Sequence, residues 1–342
     1  MSPGPSLRRR DFWRRDLVED PRGVPFKEWH HFILRAGSSH LLINFSLTRD
    51  GTGQGQGRVI ALACGEDPSS GWRGAVGRAG PAALAKDGCD FQLQGQRLRI
   101  SDEGWTISLS LPEAAIAADL RVTPAAHAMN APDQSVGGGR RLSWLVFPRV
   151  KVDGRVTIEG RSQELVGVIG YHDHNWGRFS WGDDYAWEWG ILWPDDDAIE
   201  DGIVVSSLQN RARTTASLEQ LFLWRGGRSV AAMASPELSV DTFGRHLAPA
   251  EATFPPVMSL LEPPTVRQDI PRRLRWGVER SDRALAVDMT VERVARLLVP
   301  SETDPLGVLA IFECLVSALA EGHEGGTPWR WEGRGIVELV RG

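Results

Sequence analysis

An all-β fold, sandwich or barrel, is predicted for this chain by three observations. Short β-branched or aromatic segments recur along it, glycine-containing turn dipeptides separate them, and a Glu-Trp pair recurs at nearly half the chain length. At 342 residues the chain is long enough for two domains with sizeable cores. Glu28-Trp29 and Glu188-Trp189 lie 188 − 28 = 160 positions apart, and each pair opens a strand, turn and strand, an offset that suits two similar barrels in tandem.

In chain order, the predicted strands include Phe32-Ile33-Leu34, Leu41 to Phe45, the alternating Arg97-Leu98-Arg99-Ile100, and Trp105 to Leu109. The second half adds Val156-Thr157-Ile158, Gly202 to Val205, Leu221 to Trp224 and Leu285 to Met289. Asp50-Gly51, Asp87-Gly88, Asp153-Gly154 and Gly226-Gly227 supply turn chemistry between them. The stretches Gly51 to Gly57 and Gly137-Gly138-Gly139 read as surface loops, because no strand-to-helix context makes them phosphate cradles. Asp195-Asp196-Asp197 resembles a calcium site only by charge and reads as a solvated hairpin turn. One segment is ambiguous: Leu309, Phe312, Leu315, Val316 and Leu319 have helical spacing in an apolar run from Val308 to Ala320 that also suits a buried strand.

Composition narrows the function. A net charge of −5 and a pI near 5.9 offer no general attraction to nucleic acid or anionic lipid. Cys64, Cys89 and Cys314 are odd in number and lack CxxC spacing, which argues against a disulfide framework or structural zinc site and fits a reducing compartment. Arg9-Arg10-Asp11-Phe12 looks superficially like an export signal, but Trp13-Arg14-Arg15-Asp16 follows where an apolar stretch is needed. No window approaches the roughly 18 apolar residues of a membrane helix. A cytoplasmic location is expected. The chain has 14 Trp against 2 Tyr, so aromatic faces are available for a cavity wall.

The densest chemical cluster runs from Tyr171 through His172-Asp173-His174-Asn175-Trp176-Gly177 to Trp181, Asp183-Asp184-Tyr185, Trp187-Glu188-Trp189 and Trp193. In a strand, His172, His174 and Trp176 share one face, and Tyr171, Asp173 and Asn175 share the other. The adjacent His30 and His31 likewise point to opposite faces, and satisfied structural roles are expected for them.

A resemblance enters with these residues. Ser143-Trp144-Leu145-Val146-Phe147-Pro148-Arg149, then Gly154, Gly160 and Gly167, then Gly170 to Gly177 resemble the N-terminal half of the carotenoid hydratase family, which also includes lipocalin-like enzymes that form decalin rings in fungal polyketides. Glu28-Trp29-His30-His31-Phe32 is similar to its early signature and Gly333 to Leu339 to its closing strand. The resemblance implies two tandem lipocalin-like β-barrels with a site at or near their junction. It also tips the run from Val308 to Ala320 towards strand. The expected organisation is an N-terminal extension over 1–24 and barrels over 25–178 and 179–342.

His174 and Trp176 carry the His-x-Trp element that matters in the hydratases. A downstream Tyr-x-Asp partner is not matched at comparable spacing, and Tyr185 with Asp183 and Asp184 is its nearest substitute. The candidate catalytic set is therefore Asp173, His174, Trp176 and Tyr185. The candidate substrate-binding set is Glu28, Trp29, Tyr171, His172, Asn175, Asp184, Trp187 and Trp189. Glu28, Trp29, Asp173, His174, Trp176 and Trp187 are expected to reach one cavity.

For alkene hydration, Asp173 or His174 would supply the proton and Trp176, Trp187 and Trp189 would stabilise the cation. The structural alternative makes Asp173, His174 and Asn175 a buried hydrogen-bond network. Two further readings are pericyclic cyclisation of a polyene and non-catalytic carriage of an apolar ligand. His172-x-His174 plus a carboxylate would have the makings of a metal site, although no metal or cofactor is expected. The expected partner is a hydrophobic small molecule, with transient membrane-surface contact for its uptake and no nucleic acid.

Overall fold

The structure, a computed structural model, describes residues 10–15, 23–36, 39–49, 55–65, 71–137, 139–180, 186–257, 269–279, 283–302, 307–324 and 327–341. The chain folds as two compact units, Met1–Gln134 with Gly139–Ser180, and Ser135–Gly138 with Trp181–Gly342. Two large curled antiparallel sheets make the protein all-β, in agreement with two tandem lipocalin-like barrels. No helix among the described residues is long and apolar enough to cross a membrane.

The first sheet contains β1 (Phe26–Ala36), β2 (Ser39–Arg49), β3 (Gly55–Gly65), β4 (Trp72–Val76), β5 (Gly80–Pro81), β6 (Ala83–Leu84), β7 (Asp90–Leu93), β8 (Gln96–Ser101), β9 (Gly104–Leu111), β10 (Ile116–Pro124), β11 (Met129–Gly137), β12 (Arg140–Ile158) and β13 (Arg161–Arg178). They run β4-β3-β2-β1-β13-β12-β10-β9-β8-β7-β6, with β5 on β3 and β11 on β12. The long closing strand β13 thus lies beside β1. The second sheet contains β14 (Ala186–Pro194), β15 (Gly202–Gln209), β16 (Ala216–Arg225), β17 (Arg228–Ala234), β18 (Leu238–Phe243), β19 (Ala252–Phe254), β20 (Arg273–Glu279), β21 (Arg283–Pro300), β22 (Val308–Glu324) and β23 (Thr327–Arg341). Here the order is β17-β16-β15-β14-β23-β22-β21-β20-β18. Again the first strand lies between its hairpin partner and the last strand, so Glu28-Trp29 and Glu188-Trp189 occupy corresponding strands.

Alternation drives both interiors. In β9 every second residue, Trp105, Ile107, Leu109 and Leu111, is buried, and in β8 Leu98 and Ile100 follow the same rule. These side chains join Phe32, Phe45, Phe91 and Phe147 in the first core. The second core gathers Val205, Leu223, Trp276, Val287, Phe312 and Val337. The run from Val308 to Ala320 is strand, its residues paired with β21 on one side and β23 on the other.

One turn and one loop expectation are corrected. Asp153-Gly154 is a bulge inside β12, where the register shifts and Gly154 adopts φ 128. A Cβ there would lie 2.1 Å from the Asp119 carbonyl oxygen, so glycine serves a close backbone approach. Gly55 and Gly57, expected in a loop, begin β3 and pair with Arg49 and Leu47. Asp50-Gly51 lies outside the described residues. Asp87-Gly88 is a turn, and Trp13 docks on it by donating its backbone N–H to the Gly88 carbonyl at 3.0 Å.

Candidate functional site

Pairing of β1 with β13 sorts the candidate residues onto two faces. Glu28 lies opposite Trp176, His30 opposite His174, and Phe32 opposite His172, all on one side. Trp29 opposite Asn175, His31 opposite Asp173, and Ile33 opposite Tyr171 take the other. The expectation of one cavity shared by Glu28, Trp29, Asp173, His174 and Trp176 is therefore corrected: strand alternation puts Glu28, His174 and Trp176 on one face and Trp29 and Asp173 on the other.

The interior face of the first unit carries a polar cluster inside an aromatic shell. His174 Nε2 is 2.9 Å from Glu28 Oε1, and its Nδ1 is 3.3 Å from Asp11 Oδ1. Arg14 donates its backbone N–H to both Glu28 oxygens, at 3.0 and 3.1 Å, and its guanidinium lies 3.5 Å over the Trp176 ring. That stacking covers one face of Trp176, so the cation-stabilising role expected of this ring is already taken in part by Arg14. Burial pushes the Glu28 carboxyl up to about 8 against the pull of Arg14, and it holds His174 well below the ordinary histidine range.

Asp11 completes this cluster from the segment before β1. Its Oδ2 accepts the Trp105 Nε1–H at 2.5 Å, and both its oxygens lie 3.3 Å from His172 Nε2. His172 Nδ1 is 3.0 Å from the His31 carbonyl. His30 stacks on His174 with centroids 3.8 Å apart, and neither of its nitrogens has a hydrogen-bond partner among the described residues. The satisfied structural role expected of His30 is therefore corrected. Ligand atoms of Asp11, His30 and His172 lie within 4.8 Å of one another. Among the described residues, these three rather than His172 with His174 form the group with metal-ligand spacing.

The opposite face centres on Asp173. Its Oδ2 accepts from Tyr171 Oη at 2.8 Å and Trp144 Nε1 at 3.1 Å, while Oδ1 accepts from Asn175 Nδ2 at 2.8 Å. Burial raises its pKa to about 6 despite those donors. Around it, Trp29, Ile33, Trp144 and Val146 share the same face of the sheet. A buried carboxyl with both oxygens held in place among aromatic side chains has the parts for proton transfer, and the same parts form the network anticipated as the structural alternative.

Trp187 and Trp189 lie in β14 of the second unit, where both are buried and Trp187 donates to Glu338. Glu188, between them, is ion-paired with Arg341 at 2.6 Å. Asp184 and Tyr185 lie outside the described residues. Sequence reasoning misses Asp11, Arg14, Trp105 and Trp144. Trp105 and Trp144 read as ordinary packing, and Asp11 and Arg14 fall in the stretch expected to be an extension. Strand periodicity gives no warning that a segment outside the sheets will enter the interior.

No protein-family model matches the chain, and no curated protein matches it in sequence. Solved structures do share its fold. A candidate AttH from Nitrosomonas europaea superposes with a TM-score of 0.64 at 13% identity, covering 96% of this chain and 98% of that one. CghA, solved with Sch210972, gives 0.62 at 13% identity, with coverage of 93% and 88%. Kievitone hydratase from Nectria haematococca gives 0.61 at 12% identity, with coverage of 94% and 90%. The lipocalin-like two-barrel fold is thus shared with a hydratase over nearly the whole chain.

Proposed function

We propose that this protein is a hydratase-type enzyme acting on an apolar polyene or isoprenoid-like substrate, with Asp173 as the proton donor. The observation that carries this reading is the Asp173 carboxyl, buried beside Trp144 and Tyr171 with three donors fixing its orientation. The fold shared with kievitone hydratase supports the same reaction class.

The step begins with transfer of the Asp173 proton to one alkene carbon, leaving a tertiary cation on the other. Aromatic faces lower the energy of that cation. Water adds through oxygen, and the proton it sheds returns to the Asp173 carboxylate, so the enzyme ends unchanged. Tyr171, Trp144 and Asn175 hold the carboxyl through both transfers. A positioned acid of this kind contributes about 10²- to 10⁴-fold.

Cyclisation is the second reading, supported by the fold shared with CghA. In it the protein folds a flexible polyene into one reactive conformer and a donor polarises a carbonyl. Incubation with acyclic carotenoids and linear polyenes, followed by mass analysis, separates the outcomes. Hydration adds one water to the substrate mass, and cyclisation leaves the formula unchanged but alters retention and spectrum. Ligand bound and returned unchanged would refute both and leave a carrier.

A further inference from the structure

We propose that the interior of the first unit binds one divalent transition-metal ion through Asp11, His30 and His172, tying the segment before β1 to β1 and β13 from inside. The two imidazoles and one carboxylate form a donor set of the type taken by zinc and its neighbours. The three side chains are buried, and their ligand atoms lie within 4.8 Å of one another.

Three observations on separate residues point to an ion. The first is the orientation of His172. Its Nδ1 lies 3.0 Å from the His31 carbonyl, and a carbonyl oxygen only accepts, so Nδ1 carries the hydrogen and Nε2 is turned towards Asp11. This is the outer partner that a ligating histidine uses to fix its tautomer and ring plane. In the neutral ring the Nε2 lone pair faces a carboxylate at 3.3 Å, acceptor against acceptor, a conflict that a cation between them removes.

The second observation is Asp11 itself. Trp105 Nε1 donates to its Oδ2, which orients the carboxylate as an outer-sphere hydrogen bond does in a metal site. Metal–ligand bonds of about 2.0–2.1 Å in a tetrahedral arrangement separate ligand atoms by roughly 3.3 Å. The His172 to Asp11 separation of 3.3 Å already matches. His30 Nδ1 stands 4.0 Å from Asp11 Oδ1 and its ring lies parallel to that of His172 with centroids 5.4 Å apart, so His30 has to turn about its side-chain bonds for its lone pair to complete the set.

The third observation is His30, fully buried with neither nitrogen hydrogen-bonded among the described residues. A buried imidazole without hydrogen bonds is costly in a folded protein, and a metal ion on Nδ1 satisfies one of its two nitrogens. His174 Nδ1 also lies 3.3 Å from Asp11 Oδ1, but that nitrogen faces the Arg14 guanidinium at 3.3 Å and Nε2 faces Glu28 Oε1 at 2.9 Å, so both of its nitrogens are already engaged and it stays outside the set. The Arg14 guanidinium, hydrogen-bonded to Glu28 and stacked on Trp176, lies beside the cluster and opposes binding through its charge.

The test uses the full chain, stripped with a chelator and titrated with Co(II), then with Zn(II) in competition with a chromophoric chelator. The expected result is one equivalent bound, weak visible d–d absorption with no thiolate charge-transfer band, quenching of Trp fluorescence, and displacement of Co(II) by Zn(II). His30→Gln and Asp11→Asn should each weaken binding at least about 100-fold, and Cys89→Ser should leave it unchanged. If either buried variant fails to fold by circular dichroism, Trp105→Phe removes only the outer hydrogen bond and should weaken binding about 10- to 100-fold. No uptake by the wild type, the result expected of an imidazolium at His172 paired directly with Asp11, overturns the proposal. A thiolate band, or affinity unaffected by these variants, overturns it as well.

Discussion

Replacing Asp173 separates its structural and chemical roles, because alanine and asparagine leave different groups behind. Alanine removes the acceptor that three buried donors share, Trp144 Nε1, Tyr171 Oη and Asn175 Nδ2. At about 1–3 kcal/mol for each, the loss is comparable with the whole stability of a typical domain, about 5–15 kcal/mol. Asparagine keeps one oxygen for Trp144 and Tyr171, and a flip of the Asn175 amide turns its oxygen to the new N–H, so all three hydrogen bonds survive. Two smaller effects then oppose each other. The neutral amide loses charge-assisted strength. It also avoids ionising a carboxyl whose pKa is raised from 3.8 to about 6, worth about 3 kcal/mol at 1.36 kcal/mol per unit. Asp173→Asn should therefore unfold in urea within about 1–2 kcal/mol of wild type, while Asp173→Ala unfolds far earlier.

The pH dependence carries its own sign. The folded state holds the Asp173 proton more tightly than the unfolded chain does, so this group's contribution is fully present below the unfolded pKa of 3.8 and is lost as pH rises to about 6. Asp173→Asn should lack that slope. If asparagine destabilises as severely as alanine, the hydrogen-bond geometry around Asp173 is wrong. Turnover at the wild-type rate in a well-folded Asp173→Asn protein would remove it as the proton donor.

Three further outcomes follow from other parts of the molecule. Burial beside Glu338 holds the Glu313 carboxyl well above its ordinary range, and Glu338 also accepts from Trp187, so stability should fall as pH rises above about 4.5; Glu313→Gln should flatten that fall and raise the melting temperature at neutral pH. A Cβ at Gly88 would meet the Trp13 carbonyl oxygen at 2.2 Å, and the residue has φ +77; Gly88→Ala should therefore dislodge the segment carrying Asp11 and Arg14, seen as faster proteolysis at that segment. Arg341→Met leaves Glu188 buried without its partner and should cost about 3–5 kcal/mol in denaturant unfolding, with most of that restored by adding Glu188→Gln.

Much of this architecture is legible in the sequence because strand alternation is a local property. The division of His172, His174 and Trp176 from Tyr171, Asp173 and Asn175 follows from period two alone, and β13 has that arrangement. The run from Val308 to Ala320 is ambiguous by periodicity because a strand in mid-sheet carries apolar residues on both faces. What the sequence hides is non-local. Trp144 reaches Asp173 only through the register of β12 on β13, and Asp11 meets His172 through a segment held by Trp13 on the Asp87-Gly88 turn, by Trp105 and by Arg14 on Glu28. Asp153-Gly154 reads as a turn, yet the chain continues through it as a bulge because the close Asp119 carbonyl needs a residue without a side chain.

The most direct test of an alkene-protonating enzyme is the isotope pattern of product formed in deuterated water from an acyclic polyene or isoprenoid substrate. The added water returns its proton to Asp173, so in deuterated water every turnover after the first places one non-exchangeable deuterium on the carbon adjacent to the new tertiary alcohol. Proton donation by Asp173 predicts that single carbon-bound deuterium, and its loss together with turnover in Asp173→Asn. Product that carries no carbon-bound deuterium, whether an isomer or an alcohol, would contradict it.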